Sequence, residues 1–412
     1  MKNKESKFIK YDHLDKIGEI AVYYGFTPTK SPVVTKEDLE TAKSVLEGDS
    51  IDDETDNHGR LPLRVEEKIA LLRTYHEENM QALPQPVMLY FKDPCRGTFR
   101  SASGKKPLRR YADMEILGNS GAIAEATLIQ AARTMLAEDG YDKTLVEVNS
   151  VGDRDSLSKF SRELSTYYRK HLNDMPAECR QLFKDDQFDL LSSASDACKS
   201  LNEQAPKSLD FLSEASRRHL EELLEYFETL GIPYTINNML VGNKKYCTET
   251  IFTIVGAQAE DRAKPERILA VGVRYNGLAK RVSMKRDLQA VGISILAKGN
   301  DQSLRGPLTK VKRPVASFVQ LGAESKLLSL DIVEKLRKAK IPLYLSLAKD
   351  RLGAQVSTVE RLHAPYSIIV GKKEAVERTA IVRHSDTHAQ AIVPIDELSQ
   401  YMKKIEADYW AK

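Results

Sequence analysis

The chain has 412 residues, of which 42% are hydrophobic and 29% charged, and its formal net charge is +3. At 46.4 kDa it exceeds what one hydrophobic core usually supports, so two or three domains are expected. No segment approaches the ~20 consecutive apolar residues of a membrane helix, and no apolar signal core follows the charged N-terminus. We therefore expect a cytoplasmic protein without membrane contact.

The first predicted elements form a hairpin. Residues 65–80 repeat apolar side chains at helical spacing, which predicts a helix. The apolar run 87–91 and the later segment 111–118 are predicted strands on either side of a polar loop. Between residues 92 and 110 there are seven Lys or Arg and one acid. The basic side chains at the hairpin tip are Arg96, Arg100, Lys105 and Lys106.

The middle of the chain alternates between helical and extended patterns. An amphipathic helix over 122–138 and a strand over 144–152 precede a region rich in helical patterns, about 155–230. Short strands follow, and residues 267–313 carry eleven Lys or Arg against two acids. This basic stretch and the hairpin tip either form one footprint for phosphates or lie as solvated loops on different faces, and the sequence leaves both open.

After a linker at 299–314, strands and helices alternate to the end of the chain. This pattern predicts a small sheet covered by helices, with a parallel component. We therefore expect a first domain over 1–313, with a helical insertion at about 155–230, and an α/β domain over 314–412.

The four cysteines are widely spaced. They show neither the close pairs of a zinc site nor the density of a secreted disulfide scaffold. We interpret Cys95, Cys179, Cys198 and Cys247 as separate core or surface thiols.

Several local motifs occur in a recognisable order. They are GFTPTKSPVV with Pro32, RVEEKIALLR from Arg64, EVNSVGDRDS from Glu147, VGVRYNGL from Val271 and the C-terminal SLAKDRLGAQVSTVERLHAPYSIIVGKKE. Together they resemble the histidyl-tRNA synthetase family along nearly the whole chain. The resemblance implies an α+β class II aminoacyl-tRNA synthetase core, an antiparallel sheet flanked by helices, with a C-terminal α/β anticodon-binding-like domain. It also implies a homodimer through the segment around Pro32, with tRNA and histidine as partners.

The resemblance assigns roles to residues near the expected phosphates of ATP. Arg96 falls on the arginine that holds the α-phosphate and is the catalytic candidate, and Arg100 takes this role if the loop is shifted. Lys298 stands in the ending of the third motif, next to the position where the family has an arginine over the γ-phosphate. If the protein is active, ATP and Mg²⁺ are its cofactors, and no tightly bound protein-ligated metal is expected.

The resemblance also places an amino-acid pocket. The residues on the family's amino-acid-binding positions are Arg64, Glu66, Glu115, Tyr246 and Tyr275. A carboxylate facing an ammonium group and a phenol reaching an imidazole nitrogen fit histidine recognition. Two positions depart from the family: Lys68 replaces a threonine, and Tyr111 falls on a glutamine. A cation and a bulky ring at these positions reshape the pocket.

Two further departures concern the phosphate chemistry. Gly242 replaces an arginine that polarises the phosphate, and Gly299 stands where the third motif supplies its arginine. Lys244, Lys245 and Lys298 are candidate replacements, but an ammonium lacks the bidentate fork of a guanidinium. We therefore predict impaired adenylate formation.

Three hypotheses follow from these residues. The preferred one is a synthetase-like paralogue that binds tRNA, histidine or both and forms adenylate poorly. The alternative is a divergent but active histidine–tRNA ligase in which lysines have moved into the vacant roles. The second alternative is a regulatory subunit that senses histidine or a nucleotide.

Overall fold

The structure is a computed structural model of the chain. It describes residues 6–11, 14–46, 65–92, 98–100, 107–193, 195–256, 267–282, 287–298, 310–345 and 364–411. The predicted residues Arg64, Arg96 and Gly299 lie outside these ranges, as do Cys95 and most of the basic hairpin tip. None of the described helices is long and apolar enough to cross a membrane.

The described strands and helices are numbered in chain order. The strands are β1 (Phe8–Lys10), β2 (Thr27–Thr29), β3 (Val87–Lys92), β4 (Thr98–Arg100), β5 (Pro107–Leu117), β6 (Thr144–Gly152), β7 (Tyr234–Ile236), β8 (Thr248–Gly256), β9 (Arg267–Arg274), β10 (Ala290–Lys298), β11 (Lys310–Lys312), β12 (Ala316–Gln320), β13 (Leu343–Leu345), β14 (Tyr366–Val370), β15 (Thr379–His384) and β16 (Gln390–Pro394). The helices are α1 (Lys16–Tyr23), α2 (Lys36–Leu46), α3 (Val65–Glu77), α4 (Ile123–Glu138), α5 (Arg154–Lys170), α6 (Ala177–Asp185), α7 (Gln187–Leu191), α8 (Asp196–Glu203), α9 (Glu214–Leu230), α10 (Leu278–Arg281), α11 (Ala323–Lys338), α12 (Lys372–Glu377) and α13 (Ile395–Ala411).

A large sheet forms the centre of the first part of the chain. Within the described residues it has nine strands, in the order β2-β3-β5-β10-β9-β8-β6-β7 with β4 beside β5. All neighbours from β3 to β6 across the sheet pair antiparallel, whereas the outer strands β2 and β7 run parallel to their neighbours. The predicted antiparallel sheet flanked by helices is confirmed. The three-residue strands at its margins carry no readable period, so the sequence alone does not indicate them.

Helices α5 to α9 form a helical region between β6 and β7. Asp153 begins it as an N-cap, accepting hydrogen bonds from the Ser156 amide at 2.9 Å and the Ser213 hydroxyl at 2.7 Å. A disulfide joins Cys179 on α6 to Cys198 on α8, and both residues are fully buried. The interpretation of these two cysteines as separate thiols is therefore wrong, because the packing of α6 against α8 brings them together.

We expect the disulfide to contribute to stability. It joins residues 19 apart in sequence, and closing a loop of this size stabilises a fold by ~3 kcal/mol through the unfolded chain. Urea unfolding of Cys198→Ala under non-reducing conditions should show a loss near this value. With reductant present, wild type and variant should differ only by the lost packing of one side chain. Equal stabilities without reductant would contradict the prediction.

The C-terminal part of the chain has a separate mixed sheet. Its five strands in the described part of the chain run in the order β13-β12-β14-β15-β16. β12 pairs parallel with both β13 and β14, and the remaining pairs are antiparallel. The expected small sheet with a parallel component is confirmed.

The two sheets are held together by a continuous hydrophobic core and by polar contacts. Tyr24, at the end of α1, donates a 2.7 Å hydrogen bond to Glu334 on α11. The backbone of Gly25 lies against Leu345, which leaves no room for a side chain there. β1, near the N-terminus, pairs with β11, just before the C-terminal sheet. The end of α1 therefore holds the last domain against the first one, and β1 holds the segment that leads into it.

Candidate functional site

Three side chains from separate elements meet at the floor of a cleft in the large sheet. Lys68 on α3 forms an ion pair with Oε1 of Glu115 on β5. Tyr275, immediately after β9, donates a 2.7 Å hydrogen bond to Oε2 of the same carboxylate. The Lys68 ammonium also lies 5.3 Å from the centre of the Tyr275 ring. The result is a compact Lys68–Glu115–Tyr275 cluster.

Local sequence patterns direct these side chains inward. On α3, Lys68 follows Val65 by three residues and precedes Leu72 by four, so it shares their buried face. On β5, Asp113 and Glu115 are two residues apart and therefore point to the same side of the sheet. The cluster thus forms on the inner face of α3 and one face of β5.

The cluster is almost completely removed from solvent. The Lys68 and Glu115 side chains are 6% and 2% exposed, and Tyr275 is fully buried. Burial raises the pKa of Glu115, and the Lys68 ammonium opposes that rise. Burial and the adjacent Glu115 carboxylate raise the pKa of Tyr275 well above its ordinary value. Tyr275 therefore acts as a hydrogen-bond donor.

A cleft leads from the surface to this cluster, with Lys68 and Glu115 in its lining. Its other lining residues are Ser31, Pro32, Glu67, Leu71, Phe91 and Asp113. The segment around Pro32, predicted as a dimer contact, therefore borders the cleft.

The loop from Leu240 to Cys247 packs tightly around Gly242, the position at which the family's arginine is missing. A side-chain carbon added at Gly242 would lie 2.6 Å from the Cys247 sulfur and 3.3 Å from Ile251 Cδ1. The Cys247 amide donates a 2.9 Å hydrogen bond to the Asn243 carbonyl, which fixes the turn. Burial raises the pKa of the Cys247 thiol to about 12, so this cysteine is packing material rather than a thiolate. The space left by the absent arginine side chain is filled.

The neighbouring Lys244 points away from this position. Its ammonium lies 2.7 Å from Oδ2 of Asp186, the N-cap residue of α7 in the helical region. Lys245 has interactions of its own, and its amide donates to the Asn243 side chain at 2.9 Å. Lys244 therefore serves to tie the loop to the helical region.

The remaining predicted site residues are placed to different extents. Glu66 and Tyr246 are both buried, at 8% and 6% exposed, and each has interactions of its own. Only the backbones of Arg100 and Lys298 are described. Arg100 pairs with Pro107 and Lys298 with Leu108, so both lie beside the same end of β5. Their assignment to phosphate binding stays a prediction.

A second buried network was not predicted from the sequence. Arg274, at the end of β9, is fully buried and holds the Glu125 carboxylate with two hydrogen bonds of 2.6 and 2.7 Å. His219 on α9 lies 3.0 Å from the same carboxylate. Burial opposes ionisation of Glu125, but Arg274 and His219 outweigh it and lower its pKa to about 2. An arginine inside the apolar run VGVRY was the available signal, since a buried charge requires a partner.

Comparison with known proteins adds a family match and full-length relatives. Residues 317–405 match the family described as "Anticodon binding domain". A histidine–tRNA ligase of Fervidobacterium nodosum is 29% identical over 91% of this chain and 90% of its own length. A histidine–tRNA ligase of Symbiobacterium thermophilum is 25% identical over 97% of this chain and 94% of its own.

Solved structures show a similar extent of coverage. Apo histidyl-tRNA synthetase of S. aureus has 20% identity and a TM-score of 0.48, covering 94% of this chain and 93% of that one. A Bacillus halodurans protein titled "ATP phosphoribosyltransferase regulatory subunit/histidyl-tRNA synthetase" has 17% identity and a TM-score of 0.43, covering 86% and 96%.

The antiparallel centre of the large sheet, its flanking helices and the C-terminal anticodon-binding match define a class II aminoacyl-tRNA synthetase fold. The sequence relatives align with this chain over nine-tenths of both lengths and carry one name. The chain is similar to histidine–tRNA ligases along nearly its whole length, which agrees with the resemblance seen in its motifs.

Proposed function

We propose that this chain is a tRNA-binding member of the family that forms aminoacyl-adenylate poorly. The observation that carries the proposal is the closed loop at Gly242, where Cys247 fills the space that an arginine side chain would need. We further propose a core over residues 1–313, an anticodon-binding-like domain over 314–412, and a homodimer through the segment around Pro32.

Adenylate formation brings a carboxylate against a phosphate, so it depends on fixed cations. The described residues around Gly242 do not supply one: Lys244 is committed to Asp186, 2.7 Å away. An ammonium is in any case a point charge, whereas arginine grips phosphate with two parallel hydrogen bonds. The arrangement therefore does not fit the triphosphate of ATP as a reacting group at this position.

Support for tRNA binding comes from the other end of the chain. The anticodon-binding match covers most of the C-terminal domain, and the full-length relatives are named for a tRNA substrate. From Phe318 to Lys412 there are fifteen Lys or Arg against twelve acids, too balanced for binding by bulk charge. We infer that this domain contacts splayed single-stranded bases, as proteins that read RNA sequence usually do.

We expect the affinity for tRNA to fall steeply with salt. The basic stretch 267–313 and the hairpin tip would hold the acceptor end through phosphates, and each neutralised phosphate releases counterions. For roughly four such contacts, raising salt from about 50 to 200 mM weakens binding by roughly 10²-fold. A salt titration of tRNA affinity on the full chain measures this. A flat profile would contradict the assignment of these segments.

One preparation tests the proposed function. Affinity for a tRNA-His transcript is measured beside ATP–pyrophosphate exchange with each of the twenty amino acids. Tight tRNA binding with weak or no exchange supports the proposal. Robust exchange with histidine would overturn it in favour of the divergent ligase. Absence of tRNA binding at low salt would overturn it in favour of the regulatory subunit.

The divergent ligase remains the second candidate because the expected amino-acid pocket keeps two acids and two tyrosines. Glu66, Glu115, Tyr246 and Tyr275 are all buried, on positions that hold the amino acid in the family. A protein that no longer binds an amino acid has no need of two buried acids at these positions, because burying a carboxylate is costly.

A further inference from the structure

We propose that Lys68 is an internal counter-ion that occupies Glu115 in place of a ligand's ammonium, so that the pocket rejects free α-amino acids, histidine included. This inference rests on the proposed function and deepens it: weak amino-acid chemistry begins with exclusion of the amino acid itself. It assigns Lys68 as the residue that determines what the cleft accepts.

The first step is that both oxygens of Glu115 already have a partner. Lys68 takes Oε1 and Tyr275 donates to Oε2. The carboxylate also lies against the backbone of Gly292, its cross-strand partner on β10, so closely that any side-chain carbon there would overlap it. The carboxylate is therefore enclosed on three sides.

The second step is that Lys68 is held where it is. Its side chain is 6% exposed, and its ammonium faces both the carboxylate and the Tyr275 ring. If Lys68 swung out, it would leave a carboxylate that is 2% exposed without a counter-ion, and breaking a buried pair in this way is strongly unfavourable. The ammonium is therefore a fixed part of the pocket.

The third step is that an incoming cation finds Glu115 already paired. Every free α-amino acid brings an ammonium group, and histidine adds a ring that is partly protonated near neutral pH. The attraction between two opposite charges about 4 Å apart in a protein-like dielectric strengthens binding by at least roughly 10²-fold, and Lys68 already takes up this attraction at Glu115. Glu67 and Asp113 also line the cleft, and both have interactions of their own.

The test is histidine affinity, measured by equilibrium dialysis on the full chain and its variants. Lys68→Ala removes the ammonium and its stem, and should bind histidine at least roughly 10²-fold more tightly than wild type. Lys312→Ala is the matched control, because Lys312 also pairs with a buried glutamate, Glu406, at 2.8 Å, and neither residue lines the cleft. It should keep the histidine affinity of the wild type.

A chemical rescue separates lost charge from added space. n-Propylammonium has the atoms that Lys68→Ala removes, and should raise the melting temperature of this variant. n-Propanol at the same concentration and ionic strength should not. If Lys68→Ala does not fold, Lys68→Met keeps the apolar stem and should also gain histidine affinity. The double variant Lys68→Met with Glu115→Gln should lose that gain, since the carboxylate is gone.

The outcomes distinguish this inference from the proposed function. Wild type that binds histidine as tightly as the Lys68 variants, yet shows no pyrophosphate exchange, overturns the inference and leaves the proposed function standing. Lys68→Ala and Lys68→Met variants that fold but gain no affinity also overturn the inference. Robust exchange by the wild type overturns both.

Discussion

Pyrophosphate exchange with histidine is expected to run on the order of 10⁴-fold more slowly than in a histidine–tRNA ligase that carries both phosphate-binding arginines. Each preorganised cation contributes about 10²-fold to a transition state that gains charge, and positions 242 and 299 both hold glycine. The measurement is exchange at saturating ATP, with such a ligase assayed in parallel. A rate within about tenfold of that ligase would contradict this prediction.

The back-substitution Gly242→Arg should not restore the rate. Its Cβ would lie 2.6 Å from the Cys247 sulfur, so the loop has to move before the guanidinium can reach a phosphate. Overpacking of this kind usually costs ~1–3 kcal/mol of stability. A Gly242→Arg variant with recovered exchange would show that the loop yields more easily than its packing implies.

The second large effect concerns the buried arginine. Arg274→Met is expected to lower the free energy of unfolding by ~3–5 kcal/mol, because it leaves Glu125 buried without its main counter-ion. Arg218→Met is the matched control: Arg218 pairs with Glu214 on the surface, where both side chains are more than 70% exposed. It should change stability by no more than about 0.5 kcal/mol.

Urea unfolding of the two variants beside wild type measures this difference. A loss for Arg274→Met as small as that for Arg218→Met would show that the Arg274–Glu125 pair is replaceable by apolar packing. His219 then remains as the partner of Glu125, 3.0 Å away.

The sequence predicted those elements whose patterns are long enough to read. The expected helix over 65–80 is α3, Val65–Glu77, and the expected strand over 87–91 is β3, Val87–Lys92. The three-residue strand β2 at one edge of the sheet has no comparable period, since two side chains on one face and one on the other do not make a pattern. Short strands at the edge of a sheet form because they pair with a neighbouring strand in the folded protein.

The sequence named residues of an expected site but could not show which of them are in contact. The sequence marked Lys68 as a cation in an amino-acid pocket, but its partner Glu115 is 47 residues away and only the fold brings the two together. The sequence shows that position 242 lacks the family's arginine. That Cys247 fills the space of its side chain depends on the path of the loop. The residue at each position can be read from the sequence, whereas the side chain that fills a given space is seen only in the fold.

The joint between the two domains has a consequence for the size of what the protein can hold. Tyr24 donates a 2.7 Å hydrogen bond to Glu334, Leu345 packs against Gly25, and β1 pairs with β11 just before the last domain begins. Under the proposed function, an RNA that contacts both domains meets two binding surfaces held at a fixed separation. Selection among RNAs then falls on their length and bend, because the protein has little freedom to adjust its span.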